Sequence, residues 1–219
     1  MFRKLRKHLW RWEVSHPEWT PEEGADGGWE PVVASYAALS ESQLLLFDPL
    51  APADGEDADR FWHALDGDVE HYGPPAVLLT IFWHTRSASA IVDRYPDASV
   101  WVHAPAAERA SEWTRVTHPF EAGDELPGGV VPYETGRLSR EVVLWLPTHR
   151  ALVVGDVLLG AGTGAARLCP QAWLSGTTAD EVRAKLAPVL DLPVELLLLT
   201  HGDAIERDAR AALARALAA

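Results

Sequence analysis

The chain has 219 residues, of which 47% are hydrophobic and 23% charged, and these proportions are typical of a folded globular protein. This length suits one domain with a large core, so we expect a single domain over residues 1–219. A net charge of −13 argues against a nucleic-acid partner, whose phosphates the chain would repel. The one cysteine, Cys169, excludes an intramolecular disulfide, and no apolar run is long enough to span a membrane. These features lead us to expect a cytoplasmic protein.

The first half of the chain alternates between strand and helix patterns. Apolar or alternating runs predict strands over residues 9–14, 32–39, 43–47, 76–80 and 99–103. The third strand ends at Asp48, because the proline that follows cannot continue a hydrogen-bonded ladder. Helical spacing of apolar residues predicts helices over residues 57–72, 87–95 and 104–109.

The second half repeats this outline without repeating the residues. It opens with residues 116–119 and a turn at residues 122–124, and strands are predicted over residues 130–133, 141–146, 151–154 and 195–200. Helices are predicted over residues 179–190, with Thr178 as the N-cap, and over residues 203–218. The glycine-rich loop at residues 160–164 is not a phosphate-binding loop, because it lacks the G-K-[ST] ending.

Four passages each join an apolar strand to polar residues at its end: Leu44–Asp48, Val77–Thr80, Val142–Asp156 and Leu198–Gly202. In this order they resemble the metallo-β-lactamase superfamily. The third is similar to the family hairpin V-x-L-x-x-P-x-x-x-x-L-x-x-G-D, whose aspartate bridges two metal ions. The fourth resembles the final strand with its histidine ligand. The resemblance covers nearly the whole chain and implies an α+β fold, a four-layer αββα sandwich.

The histidine motif of the family, T-H-x-H-x-D-H, falls on the passage that begins at Thr80, but its metal ligands are missing here. Its histidine, histidine, aspartate and histidine positions carry Ile81, Trp83, Thr85 and Arg86. The histidine of the middle loop falls near Arg137, so only Asp156 and His201 keep a ligand type. Isoleucine and tryptophan cannot bind zinc, and a protonated arginine repels it. The resemblance therefore implies that the two-metal site is lost, and no cofactor is expected.

Two arginines thus fall on former ligand positions, near carboxylates at buried strand ends. A buried aspartate without a metal needs a counter-charge. We therefore expect Arg86 and Arg137 to form ion pairs with Asp156 and with Asp48, through paired hydrogen bonds.

The first functional hypothesis is a pocket that binds a small anionic or planar molecule without a metal. Asp156, His201 and His84 are its predicted reactive groups, and its predicted lining is Arg86, Arg137, Trp83, Asp48, His16 and Trp19. Two prolines stiffen the loop of His16 and Trp19. Trp19 either forms a stacking wall of the pocket or packs the loop against the protein.

The alternative is a hydrolase of esters, thioesters or lactones, with one zinc or other divalent ion on Asp156 and His201. His84 or His16 would join that site. His84 has two interpretations, a ligand or general base beside His201 and an exposed loop residue. A third hypothesis is a scaffold or interaction protein that uses the fold alone. Cys169, with no assigned base, is interpreted as a small buried apolar residue.

Overall fold

The computed structural model describes residues 2–25, 28–137, 139–174 and 176–218, and it has two large β-sheets. The first sheet has seven strands, which lie side by side in chain order: β1 (Arg3–Arg6), β2 (Leu9–Ser15), β3 (Val32–Ser40), β4 (Gln43–Phe47), β5 (Ala76–Leu78), β6 (Ser99–His103) and β7 (His118–Phe120). Strands β1 to β4 pair antiparallel, and strands β4 to β7 pair parallel. The carboxyl ends of β4, β5 and β6 therefore lie at one edge of this sheet.

The second sheet has four strands: β8 (Val131–Glu134), β9 (Val142–Leu146), β10 (Ala151–Val154) and β13 (Leu196–Leu199). Their spatial order is β13–β10–β9–β8. Strands β10 and β13 are parallel neighbours, so the residues that follow them emerge at the same edge. A separate hairpin pairs β11 (Leu158–Gly160) with β12 (Ala166–Leu168), in the region predicted as a glycine-rich loop.

Within the described residues, five α-helices accompany the sheets: α1 (Gly55–Tyr72), α2 (Ala88–Arg94), α3 (Ala107–Ala110), α4 (Ala179–Leu186) and α5 (Ala209–Ala218). None of the helices in the described ranges combines the length and the apolar character that crossing a bilayer requires. Thr178 is the N-cap of α4, as predicted, and forms a reciprocal capping box with Glu181.

Three apolar clusters separate four layers of secondary structure. One cluster fills the space between the two sheets and contains Phe47 and Leu144. A second packs α1 and α2 on the outer face of the first sheet, through Phe61 and Ile91 among others. The third packs α4 and α5 on the outer face of the second sheet, where Leu213 is buried. The order helix, sheet, sheet, helix is the predicted α+β sandwich.

Two predicted helices are shorter in the structure than their sequence patterns indicate. Residues Ala187–Asp191 form a separate 3₁₀ turn after α4, with a proline near its start. Helix α5 begins at Ala209 because Ile205, within the predicted helix, instead forms an isolated β-bridge with Leu197. Tertiary pairing has overridden local helix propensity at this position.

Hydrogen bonds join strand β3 of the first sheet to the residues at the end of β13 in the second sheet. The backbone N–H of Ala34 in β3 donates to the carbonyl oxygen of Thr200 at 2.8 Å. The hydroxyl of Tyr36 donates to the carbonyl oxygen of Leu199 at 2.6 Å. The residues that follow β4 and β5 in one sheet therefore lie near those that follow β10 and β13 in the other.

Candidate metal centre

Three buried side chains from three different loops converge at this edge of the sandwich. The Nε2 atoms of His84 and His201 each lie 3.1 Å from Oδ1 of Asp156. All three donor atoms lie within 4.8 Å of one another, and each residue is at most 6% exposed. Among the described residues, this is the group whose donor atoms come close enough to hold one metal ion.

Asp48 lies behind His84 and fixes the orientation of its ring. Nδ1 of His84 is 3.0 Å from Oδ2 of Asp48. The backbone N–H of Thr80 donates to Oδ1 of Asp48 at 2.8 Å, and its hydroxyl donates to Oδ2 at 2.6 Å. The 3₁₀ turn Phe82–Thr85 directs His84 inward, so its interpretation as an exposed loop residue is wrong.

Trp83 and Asp156 form a second fixed contact of the centre. The indole Nε1–H donates to Oδ2 of Asp156 at 2.8 Å, although the tryptophan is 40% exposed. Oδ1 of the same carboxylate faces the two histidines. The carboxylate of Asp156 is thereby fixed, because Oδ2 accepts the indole N–H and Oδ1 contacts the two histidine rings.

The backbone of His201 is held against the β11 hairpin. Its carbonyl oxygen accepts the backbone N–H of Gly160 at 2.8 Å. Gly202 follows with φ +99°, and a Cβ at that position would lie 2.8 Å from Cα of Gly160. A glycine is therefore required there, both for the conformation and for the close approach of the two chains.

Burial and neighbouring charge act in opposite directions on the three groups. Burial and the charge of Arg86 disfavour protonation of His84, but the carboxylates of Asp156 and Asp48 outweigh them and raise its pKa. Burial acts to raise the pKa of Asp156, yet the two histidines hold it well below its usual range. Burial lowers the pKa of His201, and its hydrogen bond to Asp156 offsets this only in part. The centre thus combines an anionic carboxylate with two unlike imidazoles.

The two arginines do not form the predicted ion pairs. Nη1 of Arg86 donates to the backbone oxygen of Asp48 at 3.0 Å. Among the ion pairs of the described residues, Arg86 has none with Asp156 or Asp48, and Arg137 pairs with Glu141 instead. The prediction was wrong because His84, whose contacts were open at the level of sequence, takes the place between the two aspartates.

Arg86 and Asp48 also share an unusual backbone conformation. Their φ angles are +38° and +45°, in the left-handed region that residues other than glycine seldom adopt. Such residues cost of order 1–3 kcal/mol each and occur often at functional sites. In this chain both residues border His84.

The centre opens into a cavity of about 500 Å³. Predicted residues on its wall are His16, Trp83, Arg86 and Arg137. Trp29 and Trp173 are further walls that the sequence interpretation missed, and Glu18 and Glu23 line it as well. The ring of Trp29 lies 4.8 Å from that of His201 and 5.2 Å from that of His16, measured between centroids.

Two predicted lining residues lie away from the cavity wall. Trp19 donates its indole N–H to the backbone oxygen of Trp29 at 3.0 Å, so it holds the loop rather than forming the wall. Asp48 lies behind His84 and is 1% exposed. Cys169 is buried as interpreted, and burial raises the pKa of its thiol to about 12.

No protein-family model and no curated protein sequence matches the chain. Solved structures match its fold along most of its length. The DIM-1 metallo-β-lactamase superposes with a TM-score of 0.66 at 13% identity, covering 100% of this chain and 95% of that one. The metallo-β-lactamase from Pontibacter korlensis gives 0.66 at 12% identity, with coverage of 100% and 98%. A metallo-β-lactamase family protein from Thermus thermophilus gives 0.64 at 17% identity, with coverage of 98% and 80%.

At these identities the similarity shows the fold alone. The chain has the metallo-β-lactamase fold, as its four sequence passages predicted. What it does depends on the particular groups at its site.

Proposed function

We propose that this protein of the metallo-β-lactamase fold is a hydrolase that holds one divalent metal ion on His84, Asp156 and His201. The observation that carries the proposal is the convergence of three buried donor atoms beside an open cavity. Esters, thioesters and lactones are the proposed substrate class, by analogy of fold and because a single metal suits attack of water on an acyl carbon.

The donor set fits a metal ion. Two imidazoles and one carboxylate are ligands that zinc and iron(II) accept in proteins. Donor atoms around tetrahedral zinc lie roughly 3.4 Å apart, because each is about 2.1 Å from the ion. The two separations of 3.1 Å from Asp156 to the histidines are close to that spacing. Asp48 behind His84 also fits, since an outer carboxylate commonly orients a metal-binding histidine.

A metal ion bound by these donors would supply an activated water for attack on the acyl carbon. Asp48 holds the ring of His84 with Nε2 towards the centre, and Trp83 fixes Asp156. Trp29 provides an apolar wall beside His201. Arg86, on the cavity wall, would stabilise the negative charge that develops on an acyl oxygen bound there.

Metal content is the test of this proposal. The protein would be purified without an affinity tag or chelator, and its metals counted by elemental mass spectrometry. We expect near one zinc, iron or manganese ion per chain, and its loss in the Asp156→Ala/His201→Ala double variant. His16→Ala, a cavity histidine outside the three donors, is the matched control and should keep the ion. A folded parent protein that takes up none of these metals overturns the proposal.

Hydrolysis is the second measurement. The loaded parent protein is assayed with an aryl ester, a thioester and a lactone. We expect turnover of at least one of them that the double variant lacks and that His63→Ala, at an exposed position of helix α1, retains. One bound metal ion per chain without turnover of any acyl substrate would support the metal site but contradict the proposed substrate class.

A second candidate function is a pocket that binds a small anionic or planar molecule without a metal. Both ring nitrogens of His84 face carboxylate oxygens, Asp48 at 3.0 Å and Asp156 at 3.1 Å, so an imidazolium satisfies both. Arg86 and the tryptophans would then contact the ligand. Calorimetric titration of metal-free protein with aromatic carboxylates and phosphate esters tests this. Weaker binding in Arg86→Ala is expected, and absence of all binding would favour a scaffold.

A further inference from the structure

Glu141 is a fully buried carboxylate in contact with the turn that carries Asp156. Its Oε1 accepts the backbone N–H groups of Asp156 at 2.7 Å and of Val157 at 2.8 Å. Its side chain has 0% exposure. A Cβ placed on Gly155 would lie 2.8 Å from the same Oε1, so the turn rests directly against the carboxylate.

Arg137 holds the other oxygen of Glu141. Its Nη1 donates to Oε2 of Glu141, and its Nε and Nη2 donate to the backbone oxygen of Trp173 at 3.3 Å and 2.7 Å. The arginine is 3% exposed. Through this one ion pair, three segments of the chain are tied together: the loop before β9, the turn after β10 and the cavity wall at Trp173.

We infer that Glu141 is a positioning residue for Asp156 and that Arg137 holds Glu141 in its position. The consequence for metal binding rests on the proposed function. Oδ1 of Asp156 lies between two imidazoles, each 3.1 Å away, so a small displacement of the turn would disturb both contacts. Groups that contact a site only through another residue commonly set its geometry to within about 0.5 Å.

A merely structural explanation is that Glu141 exists to balance the buried charge of Arg137. The two explanations differ for the double variant Arg137→Met/Glu141→Leu. That variant removes both charges and keeps apolar volume, a replacement that buried ion pairs often tolerate. It also removes the acceptor of the Asp156 and Val157 amides. If Glu141 only balances the charge of Arg137, the double variant should have the amide exchange rates and the zinc affinity of the parent protein.

Amide hydrogen exchange of the metal-free protein is the direct readout, and zinc affinity, measured by competition with a chromophoric chelator, is the second. In the double variant we expect at least tenfold faster exchange at Asp156 and Val157, with unchanged exchange in β10 and β13. Zinc affinity should fall by about 10- to 100-fold, as for other partners that orient a ligand. Glu134→Gln is the matched control, because Glu134 pairs with Lys185 at an exposed position.

Parent-like exchange and parent-like zinc affinity in the folded double variant overturn the inference. If circular dichroism shows that this variant does not fold, Glu141→Gln replaces it, since it keeps an acceptor oxygen but not the charge. Faster exchange confined to residues 155–157 then supports the inference, and unchanged exchange overturns it. A parent protein that binds no zinc contradicts the proposed function, while the exchange measurement still decides the role of Glu141.

Discussion

Asp156 lies between two buried charge clusters that differ in how their polar atoms are used. In the first, His84, Asp156 and His201 border the cavity with Asp48 behind His84, and Nδ1 of His201 has no hydrogen-bond partner among the described residues. In the second, Arg137 and Glu141 direct their donors and acceptors to each other and to backbone groups. The first cluster can therefore bind an ion, whereas the hydrogen bonds of the second hold segments of the chain together.

Breaking the second cluster should have the largest effect on stability. Arg137→Ala leaves Glu141 buried without its counter-charge, and we expect the free energy of unfolding to fall by about 3–5 kcal/mol. Urea denaturation measures this. Lys185→Ala is the control, because it removes the partner of Glu134 from an exposed pair and should cost at most about 1 kcal/mol. Equal losses of unfolding free energy in the two variants would mean that burying an ion pair does not increase the cost of breaking it.

Breaking the first cluster should have a smaller effect, because the cavity admits water to the groups left behind. In metal-free protein, His84→Ala removes the shared partner of Asp48 and Asp156, and we expect a loss of about 2 kcal/mol. His201→Ala removes one hydrogen bond to Asp156 and should cost about 1 kcal/mol. Urea denaturation with chelator present compares them. A His84→Ala variant as stable as the parent would show that this cluster contributes nothing to the metal-free fold.

The smallest expected effect is a pH dependence at His149, a buried histidine outside both clusters. Burial lowers its pKa, only partly offset by the hydrogen bond of its Nε2 to the backbone oxygen of Leu39. Below the unfolded pKa of about 6.5, the unfolded chain therefore binds more protons at this residue than the native protein does. The stability that His149 contributes should be fully present above this unfolded pKa of about 6.5 and lost as the pH falls from there through the lower pKa of the folded protein.

The comparison with His149→Gln isolates that effect from the titration of other groups. The difference in unfolding free energy between the parent and this variant, measured in urea from pH 5 to pH 8, should be largest at high pH. A difference that is constant with pH would contradict the expectation. Such a result would also mean that the two buried histidines do not differ as expected. The pKa of His84 is raised by its carboxylate neighbours, whereas burial lowers the pKa of His149.

The candidate site was only partly predictable. Asp156 and His201 follow apolar strands in passages with a recognisable frame, so they were identified without a structure. His84 was also named as a candidate ligand or general base, but the sequence left an exposed loop position open as well, because its neighbours occupy the expected ligand positions. Glu141 was missed because a charged residue at the start of an apolar strand ordinarily indicates a surface position, and no local pattern reveals a partner such as Arg137.

The sequence by itself determined the order of most strands and helices, the fold and the polar residues at the strand ends, because periodic burial and turn residues are local properties of the chain. Only the tertiary structure decided which of those polar residues meet. His84 lies 36 residues from Asp48, and His201 lies 45 residues from Asp156. Their contacts depend on how the two sheets stack and how the turns at their edges are directed, and these properties arise from packing along the whole sandwich.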